Sequence, residues 1–203
     1  MIRLSATINI EGNNHEIDRN LINIRFSGQD RSDSSLPSWG IKSNSGSLEM
    51  YDIDESITKA YEKGLLEKSL IDIYLNVGER KEQIGRFNVV GANRNKQTLK
   101  TTIEFQDTLV SWQDKKMPQY CEFSASVSPT IQSILSKLLT IANISVLYSN
   151  DKTAERARSL YINHAILEAG SFWAQMEKIC EVGAFYIYCD EMGNARIHYS
   201  GDT

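Results

Sequence analysis

The sequence predicts an α+β protein, in which an N-terminal antiparallel β-barrel-like domain is followed by a smaller α/β domain. Residues that alternate between polar and apolar, separated by short turns, fill the first half of the chain. Apolar residues at helical spacing begin near residue 128, and the pattern changes around 114–118. We therefore predict two domains, residues 1–114 and residues 115–203.

Strand patterns dominate the predicted first domain. Residues 2–10 alternate strictly, and a turn at 11–14 leads to a return strand at 15–18, which predicts a hairpin. The segment 21–26 predicts a strand with one apolar and one polar face. The apolar face is predicted to hold Ile22, Ile24 and Phe26, and the polar face Leu21, Asn23 and Arg25. A polar loop is predicted at 27–35.

Three further strands are predicted at 70–77, 83–92 and 99–105. Because only short turns separate them, they are expected to form a meander. A helical turn at 107–112 is expected to carry apolar side chains over the end of the barrel.

Capping residues and apolar stripes predict three helices. The predicted helices are a short one between Asp54 and Gly64, an amphipathic one from Ser128 and Pro129 to about Ala142, and one from Ser171 to Gly183. Between the last two, we predict a strand at 144–148, a polar loop at 149–158 and a short strand at 160–162. A β-hairpin is predicted at 185–199.

Charge and hydropathy argue against two classes of partner, nucleic acids and membranes. The chain holds 22 basic and 26 acidic residues, so bulk charge does not favour nucleic-acid binding. Basic residues are also not expected to be interleaved with aromatic residues along one face. The apolar runs are too short to span a membrane, and residues 1–5 enter a strand pattern rather than a signal peptide. Synthesis in the cytoplasm is expected.

No catalytic, metal or cofactor site is predicted. Cys121, Cys180 and Cys189 lack metal-binding spacing and are expected to be buried thiols. The three histidines, His15, His164 and His198, are scattered. If the chain had a nucleophile and a general base, the best candidates would be Cys180 or Cys189 as the nucleophile and His198 as the base. The acidic residues Asp52, Asp54 and Glu55 could bind a hard cation, but they better fit a favourable charge at a helix start.

Aromatic residues are dense in the C-terminal hairpin. Phe185, Tyr186 and Tyr188 could provide a stacking platform for a sugar. Alternate aromatic residues in a strand more often belong to a core or a subunit contact, and we favour that interpretation here.

Three tracts, taken in order, carry a resemblance to a known family. The first is 37–52, where Pro37, Ser38 and Trp39 precede a Gly-containing strand that ends in Asp. The second is 70–112, which includes the strand Gln-Ile-Gly-Arg-Phe-Asn-Val and an Asp after the following strand. The third is the helix and hairpin at 170–199. In this order the tracts resemble the tail hub or baseplate hub family of tailed bacteriophages, whose architecture also occurs in contractile injection systems.

The resemblance implies a structural virion protein without enzymatic activity or cofactors. It implies a homo-oligomer, commonly a trimer, that forms a ring connecting the tail tube to the tip or fibres, with other tail or baseplate proteins as partners. Location in the virion tail after assembly in the bacterial cytoplasm is expected. Known hubs are longer, so the chain is expected to be a fragment, a truncated form or a shortened relative.

The candidate interface residues are Arg25, Phe26, Trp39 and Arg86. The strands at 21–26 and 70–77 and the loop at 27–36 are expected to face a neighbouring protomer or tail protein. The alternative function is a carbohydrate- or receptor-binding module of a phage or bacterial surface protein, and an enzyme is the least favoured class.

Overall fold

The computed structural model describes residues 2–17, 20–28, 40–53, 55–66, 69–117, 120–124 and 129–199. The strands are β1 (Ile2–Ile10), β2 (Asn13–Glu16), β3 (Leu21–Gly28), β4 (Gly40–Lys42), β5 (Asn44–Tyr51), β6 (Leu70–Val77), β7 (Arg80–Asn95), β8 (Lys100–Gln106), β9 (Lys116–Met117), β10 (Cys121–Ser124), β11 (Leu147–Tyr148), β12 (His164–Leu167), β13 (Gly170–Ser171), β14 (Phe185–Cys189) and β15 (Ala195–Tyr199). The α-helices are α1 (Ser56–Glu62), α2 (Ile131–Ala142), α3 (Asp151–Ser159) and α4 (Phe172–Gly183), and a 3-10 helix spans Thr108–Trp112.

These elements form two compact units, so the α+β class is confirmed. The first unit contains the described residues of 1–29, 43–108 and 190–193. The second contains those of 30–42, 109–189 and 194–203. The division into domains at residue 114 stays a prediction.

The first unit is built on one antiparallel sheet of seven strands, in the order β2-β1-β6-β7-β8-β5-β3. The neighbouring strands β6, β7 and β8 confirm the predicted meander. Within the described ranges β2 and β3 are edge strands that do not pair with each other, so the sheet is open. The barrel-like prediction is corrected accordingly: the sheet is not a closed barrel.

A β-bulge in β3 corrects the predicted faces of this strand. Leu21 pairs with Met50 and Asn23 with Glu49, so Ile22 is the extra residue between them. Leu21 and Ile24 consequently pack against the core, whereas Ile22 is exposed. The prediction that Ile22 lies on the apolar face and Leu21 on the polar face was therefore wrong.

The core of the first unit lies between the sheet and α1. It consists of Ala6, Ile8, Ile10, Ile17, Leu48, Met50, Ile57, Ala60, Leu66, Ile71, Ile73, Phe87, Val89, Ile103 and Phe105. Asp54, the predicted cap of α1, lies outside the described residues. The residue before the helix is Glu55, in a left-handed conformation with φ of 60°. The helix ends before Gly64, whose φ is 72°, as predicted.

The second unit packs its helices on a four-stranded sheet of order β11-β15-β14-β4. Two smaller two-stranded sheets, β10-β12 and β13-β9, complete it. The residues buried in its core are Ile41, Leu109, Trp112, Met117, Ile131, Ile134, Leu135, Leu138, Leu139, Ala142, Ala157, Leu167, Phe172, Met176, Ile179, Cys180, Phe185, Ile187, Ala195 and Ile197. None of the helices in the described part of the chain is both long enough and apolar enough to cross a bilayer.

Helix boundaries in this unit differ from prediction in two places. Thr130 caps α2, because its hydroxyl accepts the backbone N–H of Ser133 while the Ser133 side chain accepts that of Thr130. The predicted cap, Ser128, lies outside the described residues, and Pro129 precedes the helix. At the end of α4 the left-handed residue is Ala184, with φ of 57°, whereas Gly183 is still helical.

The segment predicted as a polar loop at 149–158 is instead helix α3. Asn150 caps it by accepting the backbone N–H of Thr153. Only Thr153 and Ala157, one turn apart, are buried, so the apolar stripe is too narrow to be recognised in the sequence. The predicted strand at 160–162 is reduced to a single bridge at Tyr161, and only two residues of the strand predicted at 144–148 form β11.

Candidate interaction surface

The edge strand β3 carries two of the four predicted interface residues. Arg25 is exposed on the polar side of this strand. Phe26 lies on the core side but is 48% exposed. Its ring centre is 6.0 Å from that of Phe87 and 5.9 Å from that of Phe105, so it extends a buried aromatic cluster to the surface. Trp39 lies outside the described residues.

A cleft separates β3 from β1 where the sheet is open. Its walls are Arg3 and Leu4 on one side and residues 21–24 on the other, and its volume is about 260 Å³. Exposed apolar side chains, Ile2 and Ile22, lie on the same two strands. An unpaired edge with apolar side chains is the feature by which sheets accept a further strand.

Arg86, the fourth predicted interface residue, is bound within the first unit. Its guanidinium donates to both carboxylate oxygens of Asp72, at 2.7 and 2.9 Å, and this hydrogen bonding raises the pKa of Arg86. Gln83 donates to the same carboxylate and to the carbonyl oxygen of Glu191, at 3.2 and 3.0 Å. The Arg86 side chain therefore has a structural partner in this sheet.

A polar groove crosses the outer face of β3, β5, β8 and β7. Two depressions, of about 170 and 520 Å³, share Glu49 and Thr102 as lining residues. Cross-strand register aligns Asn23, Glu49, Thr102 and Asn93 in one row, which spans ~14 Å at ordinary strand spacing. Lys100 forms an ion pair with Glu49 at 3.2 Å.

The acidic residues near α1 are bound by protein groups. Asp52 is 1% exposed, and its carboxylate accepts the N–H groups of Ile57 and Thr58, at 3.3 and 3.0 Å, and the Thr58 hydroxyl, at 2.7 Å. Glu55 forms ion pairs with Arg94 and Lys59. These contacts support the interpretation that the acidic residues provide a favourable charge at the start of α1 rather than a cation site. No group of three or more potential metal-binding side chains occurs within the ranges that the structure describes.

The structure separates the thiols from the histidine that was the candidate base. Cys180 belongs to the buried core of the second unit. Cys189 pairs with Ala195, so the alternation of β15 places His198 on the opposite face of the sheet. There the His198 imidazole Nδ1 hydrogen-bonds the Ser149 hydroxyl at 2.7 Å. His15 is exposed on β2, and His164 lies 3.0 Å from Glu122.

Cys180 is expected to resist alkylation in the folded protein. Burial, followed by the nearby charges of Glu177 and Glu181, raises the pKa of its thiol to about 12, so little reactive thiolate forms at neutral pH. Mass spectrometry after iodoacetamide treatment should find Cys180 unmodified and the half-buried Cys121 modified. In urea both should react at similar rates. Equal reactivity without denaturant would contradict the buried position of Cys180.

One surface of the second unit was missed in the sequence. Parallel pairing of β4 with β14 brings Lys42 beside Tyr188, and antiparallel pairing brings Arg196 to its other side. The sequence-based statement that basic and aromatic residues do not share a face was wrong here. The pairing joins residues that are more than 100 positions apart, so no local pattern announces it.

No protein-family model matches the chain, and no curated protein is significantly similar to it. Solved structures do resemble it. A tail protein from Neisseria meningitidis MC58 matches with a TM-score of 0.60 and 10% identity, covering 96% of this chain and 50% of that one. The 43 kDa tail protein of prophage MuSo2 from Shewanella oneidensis matches with a TM-score of 0.60 and 14% identity, covering 98% and 55%.

The chain has the fold of phage tail proteins. It also resembles a chain of the Francisella PdpA–VgrG complex, with a TM-score of 0.56 and 14% identity over 97% of this chain and 31% of that one. The chain spans about half the length of the two tail proteins that it matches.

Proposed function

We propose that this chain is a structural, non-enzymatic component of a phage tail or a related injection machine. Within that machine it acts as a hub-like subunit of a ring that connects the tail tube to the tip or fibres. The fold shared with tail proteins supports the tail role. The open sheet with its β3 edge is the observation that supports ring formation.

The two edge strands, β2 and β3, stand at the two ends of the strand order, and such a pair of edges suits a repeating contact. The β3 edge of one protomer can add to the β2 side of the next, and such head-to-tail contacts close into a ring when the rotation allows. The exposed charges are opposite in sign and can therefore attract each other, because β3 presents Arg25 and β2 presents Glu16. Phe26 supplies exposed apolar area beside Arg25.

A trimer located in the virion tail, assembled in the cytoplasm of the bacterial host, is the proposed state. Other tail or baseplate proteins are its proposed partners. Arg86 and Trp39 remain proposed interface residues, and the domain boundary at residue 114 is retained as a proposal.

Reversing the charge of Arg25 is expected to weaken the oligomer by about tenfold in dissociation constant, because Arg25 would then repel Glu16. Sedimentation equilibrium at low salt measures this for Arg25→Glu. Arg80→Glu, an exposed arginine at the start of β7, makes the same change in net charge and should leave the oligomer intact.

The double variant Arg25→Glu with Glu16→Arg restores opposite charges and should recover the oligomer. Equal weakening by Arg80→Glu, or no recovery in the double variant, would contradict the proposed contact. A wild-type protein that is strictly monomeric would count against the ring.

A second candidate function is a carbohydrate-binding module, and the polar groove is the observation that favours it. The groove is lined by the carboxylate of Glu49 and the amide groups of Asn93 and Asn95. The exposed ring of Tyr51 lies beside Lys100, another lining residue. Hydrogen-bonding groups beside an aromatic ring suit a sugar. A monomer that binds a neutral oligosaccharide would favour this function over the ring.

A further inference from the structure

Uncharged polar side chains without a partner line the polar groove of the first unit. Asn23, Thr102 and Asn93 stand in one row across β3, β8 and β7, together with Glu49 of β5. In the part of the chain that the structure describes, none of the three uncharged side chains forms a hydrogen bond. Two amides and one hydroxyl are therefore free to donate and to accept hydrogen bonds on the same side of the sheet.

The charged side chains at the β7 end of the groove already form ion pairs. The Lys100 ammonium lies 3.2 Å from a carboxylate oxygen of Glu49. Arg94, whose side chain is only 7% exposed, forms an ion pair with Glu55. Arg25 lines the β3 end, so its charge would draw an anion to that end alone. A charged ligand that filled the whole groove would have to compete with the existing ion pairs, and a neutral ligand therefore fits better.

The turn between β7 and β8 fixes the orientation of a further amide, that of Asn95. Its side-chain oxygen accepts the backbone N–H groups of Gln97 and Thr98, at 2.9 and 3.2 Å. Asn95 also lines the larger depression of the groove, so its NH₂ group is left there as a hydrogen-bond donor. A donor that is already held in position loses little conformational entropy when a ligand binds.

The direction of the row argues against an added β-strand as the ligand. A peptide that joins a sheet pairs with the backbone of an edge strand and runs along it. The row instead crosses four strands and spans ~14 Å at ordinary strand spacing. This span is longer than a single sugar ring and suits a short chain of sugars. Each sugar hydroxyl both donates and accepts hydrogen bonds, as do the amide and hydroxyl side chains of the row.

We propose that the polar groove binds a neutral oligosaccharide that lies across the strands, with hydrogen bonds from its hydroxyl groups to Asn23, Thr102 and Asn93. This binding mode rests on the second candidate function, to which it adds the orientation of the ligand and the residues that contact it. It is available to a monomer and to a ring subunit alike, because these side chains project from the face of the sheet, whereas the ring contact pairs the backbones of edge strands.

The test is a ligand-observed NMR titration of the full chain with two neutral trisaccharides, one of glucose and one of N-acetylglucosamine. The wild-type chain should bind at least one of them, and added salt should leave the affinity unchanged because the ligand carries no charge. The double variant Asn93→Ala with Thr102→Val should bind roughly tenfold more weakly, because it loses two hydrogen-bonding side chains. Circular dichroism establishes that each variant is folded, and Asn93→Ala alone is the second variant if the double variant is not.

The matched control makes the same two chemical changes outside the groove, in Asn88→Ala with Thr7→Val. Both residues belong to the same sheet, and neither lines either depression. The control should bind the trisaccharide as the wild type does. An equal loss in the control, or no binding of either trisaccharide by the wild type, would overturn the proposal.

An acidic trisaccharide, trigalacturonate, tests the expected neutrality of the ligand. It should bind more weakly than the neutral sugar, and tighter, salt-sensitive binding would overturn the proposal. Sedimentation of the same samples distinguishes this site from the ring contact. A protein that binds the neutral sugar as a monomer contradicts the ring alone, and an intact oligomer that binds no neutral sugar contradicts the sugar site alone.

Discussion

Replacing Gly46 with alanine is expected to lower the free energy of unfolding by about 2–3 kcal/mol and to loosen strand β3, because an added methyl group overpacks the sheet. A Cβ at this position would overlap the backbone carbonyl oxygen of Arg25 and would lie 2.6 Å from the Phe105 ring. The Phe105 ring is 1% exposed and has no room to move away. Relief therefore requires β3 to separate from β5.

Urea denaturation measures the loss of stability, and hydrogen exchange of the β3 amides measures the loosening. Gly91→Ala is the matched control in the same sheet. Its added Cβ would meet only the Glu104 side chain, with the closest contact, 3.3 Å, at the flexible carboxylate end and ordinary van der Waals distances to the rest, so it should cost much less. If the two variants were equally stable, the close packing described at Gly46 would be wrong.

Replacing Asp52 with asparagine is expected to cost about 2–4 kcal/mol of unfolding free energy, because buried donors lose their partner. The carboxylate accepts two backbone N–H groups at the start of α1 and the hydroxyls of Thr58 and Thr101. The asparagine side chain accepts hydrogen bonds through one oxygen only. Its NH₂ group would point at N–H and O–H donors and could not accept their hydrogen bonds. The first turn of α1 would then be poorly held on the sheet.

The effect of Asp52→Asn should depend on pH. Burial acts to raise the pKa of Asp52, but the hydrogen bonds from Thr58, Ile57 and Thr101 outweigh it, and the pKa is lowered overall. Because the pKa of Asp52 is lower in the folded state, the ionised carboxylate contributes its full stabilisation above the unfolded-state pKa of ~3.9. This stabilisation is lost as the pH falls through the pKa of the folded state. The difference between wild type and variant should therefore shrink under acid conditions.

Urea denaturation at a series of pH values tests this. Glu62→Gln, an exposed carboxylate on the same helix, should change stability little at any pH. A constant difference between wild type and Asp52→Asn down to the lowest pH would show that the ionised carboxylate is not the stabilising species.

Regular patterns made much of the fold predictable. Strict alternation located β1, and strand patterns separated by short turns located β6, β7 and β8 and predicted their order in the sheet. Ser171 correctly indicated the start of α4, because its hydroxyl accepts the N–H of Ala174. These signals are local, so they can be recognised from neighbouring residues alone.

Departures from local patterns explain the errors. The bulge at Ile22 adds one residue to β3, and such an insertion reverses the face of everything before it. Helix α3 is stabilised by Asn150 and by two small buried contacts, Thr153 and Ala157, rather than by a wide apolar stripe. Whether the sheet closes into a barrel depends on the distance between its two edge strands, and the alternation of polar and apolar residues does not encode that distance.

The candidate surfaces were only partly predictable. Arg25 and Phe26 stay predicted interface residues, which the sequence suggests because they lie on an alternating strand next to a polar loop. The partner of Arg86 could not be inferred, because Asp72 is on another strand and meets it only through register. The grouping of Lys42 with Tyr188 depends on the pairing of β4 with β14, which joins distant parts of the sequence.

The pairing of β4 with β14 also has a consequence for how the protein folds. The four-stranded sheet takes one strand from residues 40–42 and two central strands from 185–199, so it cannot form until almost all of this sequence has left the ribosome. Contacts between residues so far apart slow folding, because the intervening chain must be ordered first. A polypeptide that ends at residue 114 would contain β4 without its partner β14, and an unpaired strand edge is prone to aggregation. Chaperone dependence during synthesis is the expected cellular result.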